Sequence, residues 1–211
     1  MARSGAKRTV GPPTSTGAKE TRQALVAAAV EALRDEGFSG ASAREISRRA
    51  GCNQGLVFYH FGSVINLLLA ALDSVSAARR DRYQGAVTKS RSLEDLVGAA
   101  SSIFEEDLDA GYIAVLVEMI VGATSTPGLG PEVAARITPW RQFAADAVRG
   151  SFADTPFAQL LSPDEAAHAV VALYLGLEML AHLDGDRTLA LALFERSRQL
   201  SRLMSSLTVP V

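Results

Sequence analysis

An all-α fold is predicted by three features of this 211-residue sequence. Apolar residues repeat at spacings of three and four, Ser-led capping pairs recur along the chain, and no run of alternating β-branched residues bounded by turn signals occurs. Hydrophobic residues make up 48% of the chain, and 21 Lys+Arg against 23 Asp+Glu leave a formal charge of −2, so there is apolar material for a core and no charge excess to keep it open. The single cysteine, Cys52, excludes an internal disulfide or a thiolate metal cluster and fits a reducing cytoplasm. The longest strongly apolar stretch, 166–183, is interrupted by His168, Glu178 and His182, and the first 20 residues contain no apolar segment ahead of a cleavage site. Neither a membrane span nor a signal peptide is expected.

Residues 1–18 mix Gly, Pro, Ser and Thr with Arg3, Lys7 and Arg8 and offer little to a core, which predicts a flexible basic arm. From Lys19 the pattern turns helical: Leu25, Ala28, Ala29, Ala32 and Leu33 share a face, and Gly37 is the stop. Ser42 and Glu45 have the spacing of a reciprocal capping box opening a second helix from Ala43 to about Ala50. Gly51 ends it, and Asn53 caps a third helix from Gln54 to about Phe61. Ser63 starts a fourth, with Ile65, Leu68, Leu69, Leu72 and Val75 on its buried side.

The remaining helices are set by the same signals. Ser92 caps a helix ending near Gly111, and Tyr112 to about Val121 forms an apolar helix before Gly122. Residues 124–130, with Pro127, Gly128 and Gly130, read as a loop; a helix beginning near Pro131 runs to Arg149, with Pro139 expected to kink it or restart it. Ser162-Pro163-Asp164-Glu165 opens a long helix to about Leu183, and after residues 184–186 a last helix carries Leu189, Leu193, Leu200, Leu203 and Leu207 on one stripe. Two such apolar helices are covered economically by their copies, so a homodimer is expected, with Tyr174, Leu177, Leu189, Leu193, Leu200 and Leu203 at its interface.

Charge is distributed unevenly. Residues 1–61 hold nine basic and five acidic side chains, and the remainder holds 12 basic and 18 acidic. A basic module suited to phosphate therefore precedes an acidic one. Within the basic part, a capped helix, a Gly-containing turn and a second short helix within about 20 residues describe a helix-turn-helix, whose second helix fits the DNA major groove. Ile46, Ala50 and Val57 would pack this unit, leaving Arg44, Gln54, Tyr59 and His60 outward.

The stretch from Ser42 to Phe61, SAREISRRAGCNQGLVFYHF, resembles the DNA-binding signature of the tetracycline-repressor (TetR) family, most recognisably at Tyr59-His60-Phe61. The resemblance covers residues 21–72. It implies that Ser42, Tyr59 and His60 meet DNA phosphates, that Arg44, Gln54 and Leu56 meet bases or nearby backbone, and that Val57 and Phe61 are core. Members often continue with serine, lysine and an acid; here Ser63 is followed by Val64, Ile65 and Asn66, so the lysine contact is absent and a weaker electrostatic affinity is expected.

The resemblance also implies a division into an arm (1–18), a helix-turn-helix domain (19–65) and an effector-binding and dimerisation domain (66–211). Its partners would be double-stranded operator DNA, a small-molecule effector and a second copy of the chain, with no membrane and no cofactor. The implied function is a cytoplasmic homodimeric repressor released from its operator by a small molecule. Phe104, Glu118, Met119, Trp140, Phe143, Tyr174 and Glu178 are candidate pocket residues, being aromatic or isolated polar side chains in apolar helices.

The alternatives are a ligand-independent regulator or activator, and a helical-bundle metalloenzyme. Glu165 and His168 have the Glu-x-x-His spacing of di-iron bundles, but the second copy such sites need is absent, so no catalytic or metal-binding residues are expected. Glu105-Glu106-Asp107 reads as a solvated acidic face.

Overall fold

A computed structural model describes residues 15–90, 92–152 and 162–207. Most of the expected basic arm, residues 1–14, lies outside them, as does the side chain of Leu207. The described residues form nine α-helices: α1 (Ser15–Gly40), α2 (Ala43–Arg49), α3 (Gly55–Phe61), α4 (Val64–Lys89), α5 (Leu93–Ala110), α6 (Tyr112–Ser125), α7 (Leu129–Phe152), α8 (Pro163–Asp184) and α9 (Thr188–Leu207). The fold is all-α.

Caps set most of the boundaries. Ser42 Oγ accepts from the Glu45 amide at 3.2 Å, Ser63 Oγ from the Asn66 amide at 3.1 Å, and Ser92 Oγ from the Asp95 amide at 3.1 Å. At α8 the box is reciprocal: the Glu165 amide donates to Ser162 Oγ at 3.3 Å, and the Ser162 amide donates to Glu165 Oε2 at 2.8 Å. At α2 it closes in one direction only. The Glu45 carboxylate is drawn to Arg48 and Arg49 instead, and the Ser42 amide donates to the Gly40 carbonyl at 2.7 Å.

Two boundaries differ from the sequence-based expectation, the first for a tertiary reason. α6 runs four residues past Val121, because Gly122 is a contact surface rather than a stop: a Cβ there would lie 2.3 Å from the Phe38 ring. α7 begins at Leu129, inside the expected loop, and continues through Pro139 to Phe152. Gly37 does break α1, with φ 70° and ψ −179°, conformations that side chains with a Cβ rarely adopt.

One core runs through α1, α2, α3, α4 and α6, with Leu25, Leu33, Ile46, Val57, Leu67, Leu68, Ile113, Val115 and Met119 fully buried. Each such side chain contributes roughly 1.5–3 kcal/mol relative to exposure. A second cluster joins α5, α8 and α9 around Phe104, Ala181 and Ala190, with Tyr174, Leu177, Leu191 and Phe194 packed on it. By length and composition α8 could cross a membrane, at a mean hydropathy of 1.5 over its most apolar window. In the structure it packs along α7 and carries the buried Glu178, which is ion-paired to Arg79 of α4.

Candidate DNA-binding surface and effector cavity

The helix-turn-helix is assembled around Ile46 and Val57, both fully buried, with Phe61 buried beside them and Ala50 half-buried. The Arg22 guanidinium lies 4.9 Å above the Phe61 ring, tying α1 to α3. Asn53 Oδ1 accepts from the Gly55 amide at 2.8 Å, so the side chain before Gln54 starts α3. Ser42, Arg44 and Gln54 are exposed, and Tyr59 is 73% exposed on the same two-helix unit. Leu56 is half-buried against the core. His60 is half-buried too, its ring edge-on to Tyr59 at 5.0 Å, and its Nε2 is buried with no hydrogen-bond partner among the described residues.

Much of the basic charge of this unit is already engaged. Arg49 pairs with Asp35, with Glu36 at 3.1 Å and with Glu45 at 2.7 Å, which staples α2 to the end of α1. Hydrogen bonds from Arg48 and then Arg49 hold the Glu45 carboxyl down at about 2, and the bonds to Asp35 and Glu45 hold Arg49 above the ordinary arginine value. Arg44, by contrast, makes no ion pair among the described residues.

A cavity of about 340 Å³ opens between α4, α5, α6, α7, α8 and α9. Trp140, Phe143 and Tyr174 line it, as does Tyr112. Phe104 and Met119 do not; both are fully buried core residues. Glu118 also stands elsewhere, where its Oε2 accepts from the Phe38 amide at 2.7 Å.

Glu178 belongs to a buried polar cluster behind the cavity wall. Arg79 donates to Asp107 and, at 2.9 Å, to Glu178 Oε1. The Tyr83 hydroxyl donates to Asp107, and the Tyr174 hydroxyl does so at 3.3 Å. Burial pushes Asp107 up and Glu178 up to about 8, with Arg79 opposing both shifts. Burial by itself would lower Arg79, but Glu178 and then Asp107 outweigh it and hold the guanidinium above its ordinary value. Burial also pushes the Tyr174 phenol up.

Asp107 corrects the reading of residues 105–107 as a solvated face, because it is buried on the same face of α5 as Ile103 and Phe104. That placement was readable from its spacing of four and three from these apolar residues. Arg79 and Tyr83 likewise continue the Leu68, Leu72 and Val75 stripe of α4, the signal that would have found them.

Tyr174 and Leu177 are half-buried at the cavity wall, not on the outer face of α8. The outer face carries Leu180 and Leu183, with Leu173 exposed at the rim of the cavity, and α9 adds Leu189 (78% exposed), Leu193, Leu200 and Leu203. Glu165 is occupied by its capping box, and among the described residues no group of three His, Cys, Asp or Glu is placed to hold a metal ion.

Residues 25–71 match the family model described as bacterial regulatory proteins, tetR family. The HTH-type transcriptional regulator CymR of Pseudomonas putida is 26% identical over 117 residues, covering 53% of this chain and 55% of that protein. SrpR of the same species, also an HTH-type transcriptional regulator, is 39% identical over 61 residues, 29% of each chain. The chain thus matches about half the length of CymR and under a third of SrpR. The crystal structure of a TetR-family transcriptional regulator from Rhodococcus sp. superposes with a TM-score of 0.73 at 22% identity, covering 86% of this chain and 98% of that one, which shows a shared fold. The helix-turn-helix segment thus matches the model of the tetR family of bacterial regulatory proteins, and the described chain shares its fold with solved structures of that family.

Proposed function

We propose that the chain is a sequence-specific DNA-binding transcriptional regulator, acting as a homodimeric repressor that a small molecule releases from its operator. The observation that carries the DNA-binding half is the exposed set Ser42, Arg44, Gln54 and Tyr59 on a rigid two-helix unit, within the segment that matches the family model. Hydroxyls and guanidinium groups so presented suit phosphates and base edges. His60 and Leu56, half-buried, stand at the margin of this surface and would join it through backbone or edge contacts.

The cavity of about 340 Å³ supports the effector-responsive half, because its size and apolar lining suit a small molecule. The exposed leucines of α8 and α9 support dimerisation, since so large an apolar surface is unusual on a monomer. The domain division at about residue 65, the cytoplasmic location and the absence of an enzymatic role follow from the same reading. In this reading α4 couples the halves: it packs against α1 and α3 at one end and bears Arg79 and Tyr83 on the cavity wall at the other.

Binding of the full chain to duplex DNA tests the proposal. Tyr59→Phe should weaken binding similarly across sequences, whereas Gln54→Ala should change which bases are preferred. Unaltered preference in Gln54→Ala would remove that residue from base readout, and absence of any sequence-specific binding by the unmodified chain would defeat the proposal.

A further inference from the structure

The charges around the cavity constrain what it can hold. Two cationic side chains line it among the described residues, Arg79 and Arg136, and no carboxylate does. Both guanidinium groups are already ion-paired, although Arg136 Nε, 2.9 Å from Asp73 Oδ1, makes no well-aligned hydrogen bond among the described residues. Arg136 donates to Asp73 at 3.2 Å and pairs with Glu132 at 3.0 Å. Arg79 is held between Asp107 and Glu178, and the face of its guanidinium packs over Trp140 at 5.1 Å and Tyr83 at 5.6 Å. The remaining polar side chains of the lining are the hydroxyls of Ser76, Ser197, Tyr83, Tyr112 and Tyr174 and the indole N–H of Trp140.

We infer that this cavity selects an uncharged, mainly apolar small molecule carrying at most one or two hydrogen-bonding groups, and rejects carboxylates and ammonium ions of the same size. An anion entering it would meet a guanidinium already shared by two carboxyl groups, so it would lose its water without gaining a partner. A cation would find no carboxylate on the wall among the described residues; Asp107 and Glu178 lie behind Arg79, and burial favours a proton on Glu178. A ligand hydroxyl, in contrast, can donate to the tyrosine and serine oxygens, and a carbonyl can accept from Tyr112 or Ser76, whose hydroxyl protons are not committed among the described residues as those of Tyr83 and Tyr174 are to Asp107 and that of Ser197 is to the Leu193 carbonyl.

The inference rests on the cavity being the effector site of the proposed regulator. Trp140 is the chain's single tryptophan and stands on the cavity wall, so its emission reports occupancy directly. Octan-1-ol, octanoate and octylammonium, titrated against the full chain, present one chain length with three charges. The expected result is that octan-1-ol changes Trp140 emission with at least about ten-fold higher affinity than either ion. Equal or tighter binding of octanoate or octylammonium overturns the inference, and so does a lack of response to all three.

The double variant Asp107→Asn with Glu178→Gln removes both carboxyl groups that hold Arg79. Octanoate should gain at least about ten-fold in this variant. A folded double variant whose octanoate affinity is unchanged would overturn the role given to the cluster; if it does not fold, the comparison in the unmodified chain decides. Failure of the underlying effector reading looks different: octan-1-ol would saturate the Trp140 signal while leaving DNA affinity unchanged.

Discussion

The carboxylate of Glu118 on α6 accepts a hydrogen bond from the backbone amide of Phe38, 80 residues earlier, at 2.7 Å. The bond sits where Gly37 bends α1, so close that a Cβ on Gly37 would lie 2.9 Å from Glu118 Oε2. On the next turn of α6, Gly122 receives the Phe38 ring. One turn of α6 therefore fixes the exit of α1, the helix on which the helix-turn-helix is built.

Glu118→Ala should leave the Phe38 amide without this acceptor and lower the unfolding free energy by about 1–3 kcal/mol. Glu118→Gln keeps an acceptor oxygen and should retain most of the stability. Urea denaturation of the two variants makes the comparison, and an equal loss in both would deny the hydrogen bond its part.

Stability should fall as pH rises from the ordinary glutamate value of 4.5 towards about 8, because burial favours the protonated form of Glu178 in the fold. A carboxyl with a raised folded pKa binds its proton more tightly in the native state, so its contribution is complete below the unfolded value and is lost as pH climbs through the folded one. Asp107 is shifted the same way and adds to the slope. Glu178→Gln should flatten this part of the profile in chemical denaturation. A slope of the same size in the variant would move the effect to other groups.

Under the proposed dimer, Leu193→Glu should yield a monomer by sedimentation, since it places a charge in the middle of the exposed leucine stripe of α9. Loss of the dimer should also remove specific DNA affinity, because two recognition helices must reach successive half-sites together. A dimer of undiminished affinity would place the interface on another surface.

The parts of this fold that were legible in the sequence are those encoded within a few residues. Ser42, Ser63, Ser92 and Ser162 mark four helix starts by a hydroxyl that can reach an amide three residues on, and all four make that bond. What local spacing could not reveal are partners distant in the chain. Gly122 reads as a stop until Phe38 is seen against it, and Glu118 reads as a pocket carboxylate until the Phe38 amide is seen to claim it. Asp107 lay within an acidic triplet that suggested solvent, although its period placed it with Ile103 and Phe104; its counter-charge, Arg79, is 28 residues away. Of the residues expected to form one pocket, Trp140, Phe143 and Tyr174 converge because α7 and α8 pack side by side, a pairing that periodicity does not encode.

The central claim, that the Gln54 and Tyr59 surface recognises specific DNA, is tested most directly by selecting binding sites for the full chain from a random duplex library. The account predicts enrichment of a two-fold symmetric motif whose half-sites are separated by about one helical turn or more, and a shift in the enriched bases for Gln54→Ala. Recovery of sequences with no common motif, from a chain shown to be folded, would contradict it.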